Sequence, residues 1–242
     1  MTRKDNRTLT RRSLIACGMS AAAGAACLGP ASVTLARAGE KAAGEKAAGE
    51  KAKVKTYTSA EFYDAGGKFL VDKARAAYYH MFRRFGYPIS ETLKKEMWIL
   101  DFSLGDFARV GMAGIFWYND KASNVFGHEI FLLPGQMLVE HAHVETPDAK
   151  PKMEAWQVRH GMIYTFGEGD PTEPPPVALP ESQKEFITAR HAEPLMPGEL
   201  RELNRPTAKH FMIAGPEGAI VTEYATYHDN AGLRFTNPRA KL

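Results

Sequence analysis

Hydrophobic and polar positions follow two different periods along this chain, a helical one near residue 70 and a strand-like one beyond residue 110. From 68 to 85, apolar side chains recur every three or four positions, which is typical of an amphipathic helix. Gly86 is suited to end this helix, and Pro88 follows it. A second helix is predicted from Ser90 to about Met97. The apolar stripe of the first helix consists of Leu70, Ala74, Ala77, Tyr78, Met81, Phe82 and Phe85.

Beyond Val110 the chain consists of short runs rich in β-branched and aromatic residues, separated by Gly, Pro, Asn and Asp. Many short strands without long helices between them predict a sandwich or a closed barrel. A Pro-rich stretch, GEGDPTEPPPVALPES, is expected to be a surface loop because strand-like runs lie on both sides of it. The runs are VGMAGIFWY, HEIFLLP, MLVEHAHV, EAWQVRHGMIYTF, KEFITARHAEP and AIVTEYATY.

The N-terminal segment has the pattern of an export signal. Basic residues lead to Arg11-Arg12, a weakly apolar Ala- and Gly-rich run follows, and Ala36-Arg37-Ala38 provides a small-x-small cleavage signal. Adjacent arginines favour the twin-arginine route, so we expect a periplasmic or secreted protein. The apolar run is too weakly apolar for a stable membrane span. A buried N-terminal helix and a lipoprotein signal ending at Cys17 are the alternatives.

Composition changes once residues 1–38 are set aside. The 242-residue chain has 31 basic and 28 acidic residues, of which six basic and one acidic lie in 1–38. The remainder has 25 bases and 27 acids, a formal net charge of −2, which does not favour nucleic-acid binding. Both cysteines also lie in this segment, which excludes disulfide and thiol chemistry in a mature chain. We therefore expect a signal at 1–38, a low-complexity GEKAA-repeat spacer at 39–56 and one domain at 57–242, helical over 57–108 and a β-barrel over 109–242.

Two histidines and a glutamate surround one loop. In a strand, side chains two apart share a face, so His141 and His143 point the same way, and Glu154 begins the next strand. Two imidazoles and one carboxylate suit a divalent first-row metal such as Mn, Fe, Co, Ni or Zn. Two exposed histidines without a metal are the alternative for the pair alone.

The spacing around these residues resembles the first cupin motif, Gly-x5-His-x-His followed by Glu-x6-Gly, with Gly135 and Gly161 at its ends. The gap between His143 and Glu154 is longer than usual in cupins, which lengthens a turn. Near the end of the chain, RPTAKHFMIAGPEGAIVTEYATY resembles the second cupin motif, and the GPEG segment is expected to form a hairpin turn. The resemblance implies a mainly β, single cupin (jelly-roll) barrel with N-terminal helices.

A closer resemblance is to the D-lyxose ketol-isomerase family. It rests on LDFSLGDFARVG, LLPGQMLVEHAH, EAWQVRHGMIYTF, PTAKHFMIAGPEGAIVTEY and RFTNPRAKL, and it covers about residues 90–240. The resemblance implies a metal-dependent aldose–ketose isomerase of a free monosaccharide, such as D-lyxose or D-mannose, with Mn as the expected ion. Carried over residue by residue, the metal ligands are His141, His143, Glu154 and His210, and Glu223 matches a glutamate of the family's final strand.

The chemistry of such an isomerase suggests roles for three further residues. A carboxylate must move a proton between C2 and C1, and Glu223, between Val221 and Ala225 on one strand face, is the candidate base. Its alternative is an exposed edge charge. Trp156 and His128, which replace the family's Phe and Lys, are assigned to sugar binding, with barrel core as the alternative for Trp156. His80, His191 and His228 are assigned to packing or the surface.

Two other functions are compatible with the same motifs. An iron-dependent cupin oxygenase uses the same four ligands, and a non-catalytic exported cupin would bind sugar without turnover.

We expect a homodimer, because the N-terminal helices contain no clustered chemical groups and are available for packing, including against a partner subunit.

Overall fold

The computed structural model describes residues 53–242. The expected signal at 1–38 and most of the expected spacer at 39–56 lie outside this range. Two α-helices come first, α1 (Val71–Phe85) and α2 (Glu91–Glu96). The strands that follow are β1 (Trp98–Leu100), β2 (Met112–Asp120), β3 (Val125–Leu132), β4 (Met137–His143), β5 (Glu154–Gly167), β6 (His191–Leu195), β7 (Leu200–Glu202), β8 (His210–Ala225) and β9 (Leu233–Phe235).

Both helices lie where the apolar pattern predicts them. Helix α1 ends at Gly86, which has the left-handed φ of 68° that an L side chain adopts only with strain. The N-terminus of α2 is capped by Ser90, whose side chain accepts a hydrogen bond from the backbone N–H of Leu93. Local sequence signals therefore determine the ends of these helices.

The strands form one curled antiparallel sheet in the order β1-β2-β3-β8-β4-β9, and β5 pairs with β6, β7 and β8. This confirms the expected mainly β architecture with N-terminal helices. The length of one predicted strand was overestimated: only the last four residues of KEFITARHAEP, from His191, belong to a strand, β6.

Strand β8 organises the sheet because three strands pair with it. Its first part pairs with β4 and its second part with β3, while β5 runs along its other edge. The expected hairpin turn at GPEG is wrong, since these residues lie inside one continuous strand. Gly218, with φ of 78°, forms a bend there, and Gly161 on β5, which pairs with the next residue Ala219, has φ of 71°. A Cβ at Gly161 would overlap the carbonyl oxygen of Gly218, so only glycine fits this corner.

Apolar side chains fill both faces of the sheet. The concave face is packed with residues such as Ile130, Val158 and Val221. The convex face of β2, β3 and β8 packs against helix α1, where Phe82 contacts Phe131 with ring centroids 4.6 Å apart. Within the described range, no helix is both long and apolar enough to cross a membrane.

Candidate metal centre

Two adjacent strands place three histidines together. His141 and His143 lie two apart on β4, and His210 begins β8 directly opposite His141. All three side chains are buried. The period of two along β4 and the β4–β8 register are therefore sufficient to gather three imidazoles.

Glu154 joins them only because the sheet curls. It begins β5 opposite Ala225, fifteen residues along β8 from His210. A straight strand of that length would separate the two ends by roughly 50 Å. Register shifts in β5 and the bend at Gly218 turn the β5–β8 ribbon back on itself, and the Glu154 carboxylate reaches His210 Nε2 at 2.9 Å.

The four side chains have the geometry of a metal site. Their potential ligand atoms all lie within 4.8 Å of one another. Glu154 Oε1 is 3.2 Å from His143 Nε2 and 2.9 Å from His210 Nε2. These three buried atoms have no hydrogen-bond partner of ordinary geometry. A three-histidine, one-carboxylate set is a typical environment for a divalent first-row ion.

Hydrogen bonds behind the imidazoles determine which nitrogen faces the centre. The Nδ1 atoms of His141 and His210 lie 2.9 Å from the carbonyl oxygens of Val139 and Ala208 respectively. A carbonyl can only accept, so each Nδ1 carries the proton and each Nε2 presents a lone pair. The side chains thus fit a metal ion at the centre of the cluster.

Electrostatics within the cluster favour an ionised carboxylate. Burial alone would raise the pKa of Glu154, but Lys152 and the neighbouring histidines hold it well below its ordinary value. Burial would likewise lower the pKa of His210, yet the adjacent carboxylate raises it. Burial and the neighbouring imidazoles lower the pKa of His141 well below its ordinary value. The negative charge of Glu154 therefore attracts a proton or a cation, and a metal ion competes with the proton for the same position.

A cavity of about 230 Å³ opens beside the cluster. It has space for several water molecules and combines apolar walls with a few convergent polar groups, as binding sites do. Its polar lining residues are His128, His141, His143, Lys152, Glu154, Glu223, His228 and Asn230. Its apolar lining includes Trp98, Phe116, Phe126 and Phe235.

Glu223 lies inside this cavity and is buried, so the alternative of an exposed edge charge is wrong. One carboxylate oxygen accepts a hydrogen bond from Lys152 Nζ, and the other lies 3.3 Å from His128 Nδ1. Burial would raise the pKa of Glu223, but the Lys152 ammonium and His128 outweigh it and lower this pKa. The side chain is therefore held as a carboxylate.

Lys152 is a buried charged residue of this cavity that sequence reasoning missed. It is buried, and its ammonium bridges Glu223 and Glu154, with Nζ 3.2 Å from Glu154 Oε2. Burial would lower the pKa of Lys152, but the two carboxylates raise it. The available signal was its position two residues before Glu154, which is the first residue of β5. The segment between His143 and Glu154 contains Pro and Asp and was interpreted only as a loop, which concealed that signal.

Alternation along β5 from Glu154 predicts an inward position for Trp156, Val158 and His160, and Trp156 and Val158 are buried as this predicts. Trp156 is buried with its ring centroid 5.1 Å from that of His210, and it lines a second cavity of about 50 Å³ rather than the large one. Its assignment to sugar binding stays a prediction, and this placement favours the core alternative. The inward position expected for His160 is wrong: a register shift after Val158 turns it toward α1, where it stacks on Phe85 at 5.3 Å.

His228 also differs from its assignment to packing or the surface. It lines the large cavity, with its ring stacked on Phe126 at 5.1 Å. His80 and His191 lie outside this cavity. His228 lies three residues beyond Ala225, the last residue of β8, so the alternation of that strand does not predict what it faces.

Comparisons with known proteins agree with this arrangement. No protein-family model matches the chain. A D-lyxose/D-mannose isomerase of Thermosediminibacter oceani is 31% identical over 163 residues, which is 67% of this chain and 88% of the relative. A D-lyxose ketol-isomerase of Cohnella laeviribosi is 30% identical over 169 residues, which is 70% of this chain and 91% of the relative.

Solved structures support the fold. The L-ribose isomerase of Cellulomonas parahominis, solved with L-psicose, superposes with a TM-score of 0.54 at 15% identity over 74% of this chain and 95% of its own. The L-ribose isomerase of Acinetobacter sp. DL28, solved in complex with L-ribose, gives 0.51 at 16% identity over 70% of this chain and 90% of its own. With two relatives at about 30% identity matched over most of their length, and with the buried three-histidine, one-glutamate cluster in a curled β-sheet, this chain belongs to the D-lyxose ketol-isomerase family.

Proposed function

We propose that this protein isomerises a free aldose to its ketose with a bound divalent metal ion, and that Mn is its native ion. D-lyxose/D-xylulose and D-mannose/D-fructose are the sugar pairs we favour, since relatives about 30% identical to this chain are named for D-lyxose and D-mannose. The observation that carries the proposal is a four-residue metal cluster that shares one cavity with the buried carboxylate of Glu223.

The reaction moves one proton from C2 to C1 and one from O2 to O1. A bound divalent ion would supply Lewis-acid polarisation of the sugar oxygens. Glu223 accepts the proton from C2 and returns it to C1, because it is the one carboxylate lining this cavity that the metal cluster does not use.

Lys152 and His128 keep the Glu223 carboxylate ionised and oriented for this proton transfer. The Lys152 ammonium holds the carboxylate ionised, and His128 Nδ1 lies 3.3 Å from Oε2, which fixes its orientation. His128 is itself a member of the cavity wall, so it also contacts the sugar in this proposal. Trp98 and Phe116 pack edge to face beside it and limit the water around the reacting carbons.

A metal-by-sugar screen with purified protein tests the proposed reaction. The protein is treated with a chelator, reloaded separately with Mn, Co, Ni, Zn or Fe, and incubated with D-lyxose, D-mannose or L-ribose. We expect ketose to form, to disappear on chelation and to return with metal. Absence of ketose with every metal and sugar would overturn the proposal. Oxygen uptake with Fe would identify an oxygenase, and tight sugar binding without turnover would identify a binding protein.

A substitution at Glu223 tests its assignment as the base. Glu223→Gln keeps the shape of the side chain but removes its basicity, so kcat should fall by about two to four orders of magnitude while the bound metal is retained. Glu217→Gln is the matched control, because Glu217 lies on the same strand but is exposed and pairs with Arg84. Near-parent turnover in Glu223→Gln would exclude Glu223 as the base, and His128 would be tested next.

We further propose a homodimer and export by the twin-arginine route. A row of exposed side chains crosses neighbouring strands, where Tyr118 pairs with Gly127 and Gly127 pairs with Tyr224. Two exposed aromatic side chains that flank a glycine on one sheet face are suited to a contact between copies. The mass of the particle in solution, measured by light scattering, decides whether the protein is a dimer.

A further inference from the structure

The large cavity contains unpaired polar atoms beyond those of the metal cluster. Between residues 53 and 242, six buried side-chain nitrogens or oxygens have no hydrogen-bond partner, and three belong to the metal ligands. The other three are Trp98 Nε1, His128 Nε2 and His228 Nδ1, and all three residues line this cavity. An unpaired buried polar group is costly, so a ligand that pairs with it gains affinity.

His128 Nε2 has a local explanation. A Cβ at Gly114 would overlap this nitrogen, so Nε2 faces the backbone of the neighbouring strand. The other ring nitrogen of His128 lies beside Glu223. His128 thus orients the carboxylate through Nδ1 and has its unpaired Nε2 against the neighbouring strand, so His228 is the histidine considered for a further sugar hydroxyl.

The position of His228 is fixed from three directions. Its backbone N–H donates to Asn119 Oδ1 at 3.0 Å, and its carbonyl accepts from Asn119 Nδ2 at 3.0 Å. Its ring stacks on Phe126 with an angle of 23° between the planes. Its Nε2 lies 2.7 Å from Asn230 Oδ1. A ring held on its backbone, face and edge can present a polar atom with little loss of conformational entropy on binding.

The contact with Asn230 also decides the tautomer. An amide oxygen can only accept, so Nε2 carries the proton and Nδ1 presents a lone pair. Burial, reinforced by the nearby Lys152 ammonium, lowers the pKa of His228 to about 4. The imidazole is therefore neutral at pH 7, and its Nδ1 can accept a hydrogen bond from a hydroxyl group.

We infer that His228 Nδ1 accepts a hydrogen bond from a hydroxyl of the bound sugar beyond C1 and C2, and that Asn230 is the positioning residue that fixes the tautomer for this contact. The inference rests on the proposed function, because it places the reacting end of the sugar at the metal cluster. The ring of His228 lies 5.9 Å from that of His143, so a sugar bound at the cluster extends past it. A site built to pair with a hydroxyl discriminates against the analogue that lacks it.

Substitutions that replace one ring nitrogen at a time test this contact. An Asn side chain places its amide near the position of Nδ1, whereas a Gln side chain places it near Nε2. His228→Phe should raise KM for the aldose about tenfold, the effect of one lost hydrogen bond, with a smaller change in kcat. His228→Asn should recover part of that loss and His228→Gln should not. His80→Phe, on the helix surface, is the control and should match the parent.

Deoxy sugars identify the hydroxyl. In the parent, kcat/KM should fall about tenfold for the one deoxy analogue that lacks the partner hydroxyl, and the same analogue should lose nothing further in His228→Phe. Unchanged kinetics in His228→Phe, recovery by Gln rather than Asn, or equal losses for every deoxy sugar in both proteins would overturn the inference.

One measurement does not depend on turnover or on any variant. Nitrogen-15 NMR of the histidine rings in the metal-loaded parent reports the tautomer directly. We expect the proton of His228 on Nε2, and a shift of the Nδ1 resonance when sugar is added. A proton on Nδ1, or no shift at saturating sugar, would refute the role of His228. A parent that binds sugar and shifts this resonance but forms no ketose would refute the proposed isomerase and leave the contact standing.

Discussion

Replacing Lys152 by Met tests how strongly the candidate site depends on one buried cation. The ammonium lies between two buried carboxylates, 3.2 Å from Glu154 Oε2 and in contact with Glu223. Nζ, at the end of an apolar four-carbon stem, also lies over the Phe126 ring, 4.5 Å from its centroid. Met keeps most of this apolar volume and removes only the charge, so the substitution isolates the electrostatic contribution.

The magnitude follows from the two carboxylates left behind. Breaking a buried ion pair by removing one partner typically costs about 3–5 kcal/mol. A buried carboxylate avoids part of that cost by taking up a proton, and an upward pKa change of one unit corresponds to about 1.4 kcal/mol. The metal-free variant should therefore lose about 3–5 kcal/mol of unfolding free energy at pH 8, and less at pH 5.

The direction of the pH dependence follows from the parent. Burial would raise the pKa of Glu154 and of Glu223, and Lys152 helps to hold both below their ordinary values. In the parent, their contribution to stability is present above the ordinary glutamate pKa and is lost as the pH falls through the lowered values. Without Lys152, burial is opposed less, so at least one pKa rises above its unfolded value and stability is lost as the pH rises through it. The deficit of the variant should therefore grow from pH 5 to pH 8.

Urea unfolding of the metal-free and metal-loaded proteins at both pH values measures these effects. Metal should reduce the deficit, because a bound cation neutralises Glu154 in place of the ammonium. Lys121→Met, which breaks the exposed pair with Asp148, is the control and should leave the midpoint unchanged. A loss below about 1 kcal/mol at pH 8, or a deficit that shrinks as the pH rises, would show that Lys152 is not the cation that balances the site.

Four further predictions concern other parts of the molecule. His210→Ala should lower bound metal and activity together, as measured by elemental analysis and ketose formation, and full metal occupancy would show that it is not a ligand. Gly161→Ala should lower the unfolding free energy by roughly 1–3 kcal/mol from its positive φ alone, with a further loss from overlap with the facing carbonyl, and an unchanged urea midpoint would contradict this. Trp156→Phe should leave the ratio of the KM values for D-lyxose and D-mannose unchanged, because Trp156 packs on His210 outside the large cavity; a changed ratio would restore its assignment to the sugar. Exchanging Arg11 and Arg12 for lysines should leave full-length precursor in the cytoplasm, detected by immunoblotting of cell fractions, whereas normal maturation would exclude the twin-arginine route.

The sequence by itself determined several features that depend on neighbouring residues. The apolar period and Gly86 locate helix α1 and its end, because helix formation and capping involve groups within one or two turns. The period of two places His141 and His143 on one face of β4. The resemblance to the cupin motifs implied that His210 and Glu154 are further ligands, although nothing in their spacing showed how they meet.

Only the tertiary structure decided which distant residues share the cavity. Glu154 and His210 lie at opposite ends of the β5–β8 ladder, and the bend at Gly218 brings them together although GPEG by itself predicts a hairpin. Lys152 and His228 come from segments just outside strands, so their burial depends on where those strands end and how the sheet curls. A single register shift in β5 likewise turned His160 away from the cavity. Strand register and sheet curvature are set by pairing between residues far apart in the chain, and a periodic pattern within one segment contains no information about them.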